Sequence, residues 1–187
     1  MRGFPPRMSG QPIFHPVLGL GYAQQIARDW NATSGAMAGY VTRFEIDDAY
    51  ANSFDVQKVG GNEHREFWVP ASSVGEFNTH LVGAIRLIAA YFGSAFVGVR
   101  PAAFSLRGKS ADAQFAALFH INEYSLQDFH GEVVSNHEAV FVNFPFWEQL
   151  VVRENSPFAH MEPLLGAIRQ VWSGAFPSRP LGVESIS

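Results

Sequence analysis

Not one cysteine occurs among the 187 residues, so no disulfide can brace the chain and burial of apolar surface must hold it. Material for a core is ample. Hydrophobic residues make up 47% of the sequence, 17 positions are phenylalanine, and only 16% are charged. A chain of this length can bury roughly 70% of its unfolded surface, as one domain or two small ones. That balance excludes intrinsic disorder. The absent thiols exclude cysteine nucleophiles, iron–sulfur clusters and thiolate zinc sites. A net charge of −4 offers no basic face for duplex nucleic acid. The first ten residues hold two prolines and no apolar run, so they lack a signal-peptide core. The longest apolar run, Leu87 to Val99, is too short to span a bilayer. A cytoplasmic protein without membrane partners is the expectation.

Hydrophobic spacing divides the chain near residue 93. In the first part, Pro12 to Val17 is a short strand limited by its prolines, and Tyr22, Ala23, Ile26, Ala27 and Trp30 mark one face of a helix. Tyr40 to Ile46 alternates as a strand. The acidic pair Asp47-Asp48 caps a short helix before Ala49-Tyr50, and Asp55 to Val59 leads into a Gly60-Gly61 hairpin turn before a strand over His64 to Val69. Ser73 with Glu76 has capping-box spacing, and Ala84 to Phe92 is an apolar strand. In the second part, Phe96 to Val99, Phe104 to Leu106 and Ala139 to Phe144 read as strands, the last apolar on both faces and therefore central. Helices follow Ser110 and run over Leu164 to Trp172, and the tail from Pro177 reads as loose. The class is α+β.

Most chemically suggestive patterns have plain structural readings. The seven histidines include no H-x-H or H-x-x-x-H pair, so no metal site is expected. Gly60-Gly61 lacks the lysine and following helix of a phosphate loop. Phe141, Phe144, Phe146 and Trp147 read as core rather than as a base-stacking platform, because no basic groove accompanies them. The segment Glu63-His64-Arg65-Glu66-Phe67-Trp68 is more informative. Period-two alternation puts His64, Glu66 and Trp68 on one face. An acid, an imidazole and an indole together can grip a cationic, ribose-bearing ligand. The same pattern also describes a marginal strand with a polar outer face, and from spacing alone that reading is the favoured one.

Three stretches carry a resemblance: RGFPPRMSGQPIFHPVLGLGYAQQIARDWN, GYVTRFEIDDAY and VQKVGGNEHREFWVPASSVGEFNTHLVGAIRLIA, together spanning Arg2 to about Phe92. They resemble a family of small bacterial proteins labelled "ADP-ribosylation/crystallin J1". The crystallin part of that label belongs with larger, all-helical ADP-ribosyl hydrolases that use aspartate clusters on two metal ions, which this strand-rich chain does not resemble. The order of elements is instead similar to the ADP-ribosyltransferase fold. The resemblance implies NAD as substrate, Glu66 as the catalytic carboxylate on its strand, and Ile13-Phe14-His15 as the earlier strand. It further implies Phe14 beside nicotinamide, Arg43 on the pyrophosphate, and His15, His64 and Trp68 near the cofactor. A first strand carrying an NAD-binding His or Arg belongs to that fold, and Arg2 or Arg7 is the available substitute.

Two regions are therefore expected. Residues 1–93 would be ADP-ribosyltransferase-like, their first strand missing or replaced, and residues 94–187 an α+β region of no recognised family packed closely on them. The activity implied is NAD-dependent ADP-ribosyl transfer to a protein or small-molecule acceptor, with no metal. The competing class is a non-catalytic binding module, such as a toxin-neutralising protein, using exposed aromatics in place of a catalytic pocket.

Overall fold

The computed structural model describes residues 2–184. Prolines 12 and 16 confine the first strand, β1 (Ile13–Phe14), to two residues. The helix expected next begins as α1 (Leu20–Gln25) and widens into a π-helical turn over Ile26–Trp30. Then come β2 (Ala38–Ile46) and α2 (Asp48–Ala51). Of the pair Asp47-Asp48, Asp47 is the one that caps α2, its carboxylate accepting the Tyr50 N–H at 2.9 Å. Strands β3 (Val56–Lys58), β4 (Arg65–Phe67) and β5 (Val69–Pro70) lead to α3 (Val74–Thr79) and the long β6 (Leu81–Phe92). Ser73 makes no side-chain cap on α3, since it ends a 3₁₀ turn with ψ near zero instead of the extended backbone of a capping residue.

All strand pairs are antiparallel: β1 with β5, β2 with β6 and β3 with β4. The β2–β6 ribbon carries two bulges, with the surplus residues on β6, and Gly83 supplies a left-handed φ of +78° at one of them. One side of the ribbon takes the π-helical turn so closely that a methyl at Gly39 would overlap the Ala27 carbonyl. Aromatic rings fill the space between the short strands. Phe77 is 1% exposed, with Phe4, Phe14, Phe44, Tyr50 and Phe54 around it at centroid distances of 5.5–6.3 Å.

The second half is helical among the described residues, not α+β by itself. It comprises α4 (Ala111–Tyr124), α5 (Leu126–Ser135), α6 (His137–Val152) and α7 (Glu162–Ala175). The expected central strand Ala139 to Phe144 is the middle of α6. A run that is apolar all round describes a buried helix as well as a buried strand. The wider pattern decides, since Val140, Phe144, Trp147 and Val151 are buried at helical spacing. Phe104 to Leu106 is a single 3₁₀ turn, and Phe96 to Val99 has no strand partner. Backbone bonds to Gly93 and Ala111 serve Phe96 and Val97, and side-chain amides serve Val99. Asn143 Oδ1 accepts from Val99 N at 2.8 Å, and the Val99 carbonyl accepts from both Asn143 and Gln114 at 2.9 Å. Ser110 precedes α4, yet its hydroxyl donates to Asp112 rather than capping the backbone.

The two halves meet along α6. Rings of Phe92, Phe96 and Phe146 pack at 4.6–5.2 Å. The Tyr40 hydroxyl donates to the Val142 carbonyl at 3.0 Å, and Gln149 donates to the Ala90 carbonyl at 2.8 Å. The tail is held rather than loose over its described part. Trp172 donates to the Arg179 carbonyl, Glu148 accepts from Val183 N, and Glu184 N donates to the Leu87 carbonyl. Residues 185–187 of that expected loose tail lie outside the described residues.

Gly39→Ala should lower stability by about 3 kcal/mol, because the obstructing Ala27 atom is backbone and the ribbon must separate from the turn; urea unfolding checks this. Burial pushes the Tyr40 hydroxyl up to about 12 from an ordinary value of 10.0. Between those pH values the unfolded chain has lost this proton while the native one keeps it, so stability falls as pH rises through that window. Tyr40→Phe should remove that part of the alkaline loss, measured by thermal unfolding at pH steps above 9.

Candidate functional site

Glu66 occupies the middle of a ribbon that extends beyond the formal strands. Residue 17 bridges residue 66, Phe67 N donates to the Pro16 carbonyl, and Leu18 N donates to the Arg65 carbonyl, both at 2.9 Å. On the other edge Gln57 pairs with Glu66. Backbone on both sides therefore fixes where the carboxylate starts. Its side chain is only 9% exposed. Oε1 accepts two ring N–H bonds, from Trp68 Nε1 at 2.7 Å and from His15 Nδ1 at 3.0 Å. Oε2 has no hydrogen-bond partner among the described residues. A buried carboxylate is costly to leave unpaired, and two donors on one oxygen offset part of that cost.

Strand alternation thus brings Glu66 and Trp68 together, and the β1 segment adds His15. Trp68 keeps one ring edge on Glu66 while 47% of the residue stays exposed. His64 sits one step away. Its ring stacks on Tyr22 at 4.2 Å, its Nδ1 accepts from Gly61 N, and its Nε2 then donates to Gln25 Oε1 at 3.1 Å. Tyr22 links the two groups. Burial first, and the Glu66 charge second, push the Tyr22 hydroxyl above its ordinary range, so it stays protonated at neutral pH. Neither Tyr22 nor Gln25 was visible as a site residue, because Tyr22 merely continued the apolar face of a helix.

Phe14 and Arg43 lie elsewhere. Alternation turns Phe14 away from its neighbour His15 and into the ring cluster, 4.7 Å from Phe4 and 5.5 Å from Phe77. Arg7 lies over the outer face of Phe14 at 5.8 Å, and Arg2 is exposed. Arg43 stands on the wall of a cleft of about 380 Å³ whose other walls include Pro16, Leu18, Val41, Phe44 and Phe67. Phe67 lines this cleft and Glu66 does not. Residues 66 and 67 point to opposite faces of their strand, so the cleft and the carboxylate lie back to back. Arg43 makes no ion pair among the described residues; its partner across the ribbon is Arg86, itself bound to Glu184.

Among the described residues no three His, Asp or Glu side chains are grouped to hold a metal, and no helix is long and apolar enough to cross a membrane. No family model, curated protein or solved structure matches the chain.

Trp68→Phe should preserve the exposed ring and lose the N–H donated to Glu66. The expected cost is about 1.5–3 kcal/mol, the range for a hydrogen bond to a charged group. Equilibrium unfolding in urea would show it as a lower midpoint with unchanged slope.

Proposed function

We propose that residues 1–93 carry out NAD-dependent ADP-ribosyl transfer, with Glu66 positioning the ribose. One observation carries this reading: a shielded carboxylate has one oxygen clamped by two ring N–H groups and the other without a hydrogen-bond partner among the described residues. Breaking the nicotinamide–ribose bond develops positive charge at the ribose carbon. A fixed anion stabilises that charge most when it needs no reorganisation, and a ribose hydroxyl donating to Oε2 would set the sugar's orientation. The exposed face of Trp68 takes the nicotinamide role that the resemblance gives to Phe14, whose ring packs on Phe4 and Phe77 instead. His64 and Tyr22 wall the site, and His15 fixes the carboxylate. Arg43, which the resemblance places on the pyrophosphate, lines the cleft that backs onto Glu66 and stands apart from the His15, Glu66 and Trp68 group. The acceptor is a protein or small molecule, and the setting is cytoplasmic.

A second reading has its own support. The 380 Å³ cleft excludes Glu66, while Leu18, Leu20, Trp30 and Trp68 are exposed on the surrounding elements. Those side chains suit a non-catalytic module that binds a partner, for example a toxin it neutralises.

Nicotinamide release from NAD separates the two. Glu66→Gln should keep the native circular dichroism spectrum and release nicotinamide at least about 100-fold more slowly than the unmodified protein. Equal rates, or no NAD binding by the unmodified protein, would leave the binding module as the surviving reading.

A further inference from the structure

We infer that His15 and Glu66 form a base–carboxylate dyad, and that the group accepting ADP-ribose is a hydroxyl. This rests on the reading of Glu66 as the carboxylate that positions ribose. His15 Nδ1 lies 3.0 Å from Glu66 Oε1, an oxygen that also accepts the Trp68 N–H. An ionised carboxylate only accepts, so His15 carries a proton on Nδ1, and in the neutral imidazole Nε2 is the lone pair. Nε2 has no hydrogen-bond partner among the described residues, and the His15 side chain is 44% exposed against 9% for Glu66. The buried member thus orients the exposed one. The Trp68 ring, edge-on to His15 at 6.1 Å and 84°, limits how the imidazole can turn. A base held by an acid behind it is the arrangement that activates hydroxyl nucleophiles on unrelated folds.

In the step, the acceptor oxygen bonds to ribose C1′ while the C1′–nitrogen bond to nicotinamide breaks. The bonding pair returns to the pyridine nitrogen, cancels its positive charge, and nicotinamide leaves neutral. The hydroxyl proton passes to His15 Nε2, the Glu66 carboxylate holds the imidazolium, and the proton then leaves to solvent. Oε1 serves the dyad and Oε2 remains for the ribose hydroxyl. A guanidinium acceptor does not suit this site, since its proton is held too tightly for an imidazole to remove. An alcohol or water loses its proton as the new bond forms, where a neighbouring base helps most.

The test incubates the full chain with NAD and either methanol or agmatine, as hydroxyl and guanidine probes, and measures nicotinamide and each ADP-ribosyl product. His15→Asn keeps an N–H directed at Glu66 and lacks the second ring nitrogen. It should form methyl ADP-ribose about 100-fold more slowly with KM for NAD unchanged. Added imidazole should restore part of the rate to His15→Ala, and agmatine should give no product. If His15→Asn matches the unmodified protein while Glu66→Gln is inactive, the dyad is overturned and the ribose role of Glu66 stands. An agmatine product exceeding the methyl product overturns the hydroxyl class. No nicotinamide from the unmodified protein overturns both the dyad and the transfer reading.

Discussion

A two-stranded ribbon as long as β2–β6 cannot persist alone in water; it needs cover on both faces. The fold is arranged around that requirement. On one face the π-helical turn approaches so closely that residue 39 must be glycine. On the other, α6 presents Phe146 to Phe92 and accepts the Tyr40 hydroxyl at the Val142 carbonyl. The short strands then assemble beside the ribbon, with Phe77 as the ring on which the others close.

What the sequence made legible followed from strong local rules. The pair Asp47-Asp48 as a helix cap, Gly60-Gly61 as a hairpin turn and the shared face of Glu66 and Trp68 each need only neighbouring residues to be read. Ala139 to Phe144 was illegible in the same way because being apolar on all sides has no period. Its identity as helix depends on residues a further turn away and on three other helices. Phe96 to Val99 reads as a strand, yet its end at Val99 is bonded by the side chains of Asn143 and Gln114 rather than by a neighbouring strand. The tail has no periodic pattern, and its order comes from Glu148, Leu87 and Trp172.

The candidate site was half legible for a related reason. Alternation joins Glu66 to Trp68, yet whether His15 reaches them depends on the pairing of residue 17 with residue 66. The position of Arg43 depends on the ribbon as a whole. One carboxylate therefore organises an imidazole and an indole, while the neutral phenol of Tyr22 separates it from a second imidazole, His64. Four polar rings surround a single negative charge, so the field there is set by orientation more than by net charge.

The seam along α6 also has a kinetic side. Contacts among α4, α5 and α6 join segments close in sequence, whereas the bonds closing the seam span 102 residues from Tyr40 to Val142 and 98 from Arg86 to Glu184. Local contacts form with little loop-closure entropy and distant ones do not. The helical half is therefore the template, condensing early, and the ribbon is the late arrival that settles on its surface. Until it does, Phe146 and the apolar strand Leu81–Phe92 stand uncovered. This interval is the one in which the chain is most exposed to self-association, and its duration is governed by α6, an element far in sequence from the strands it shelters.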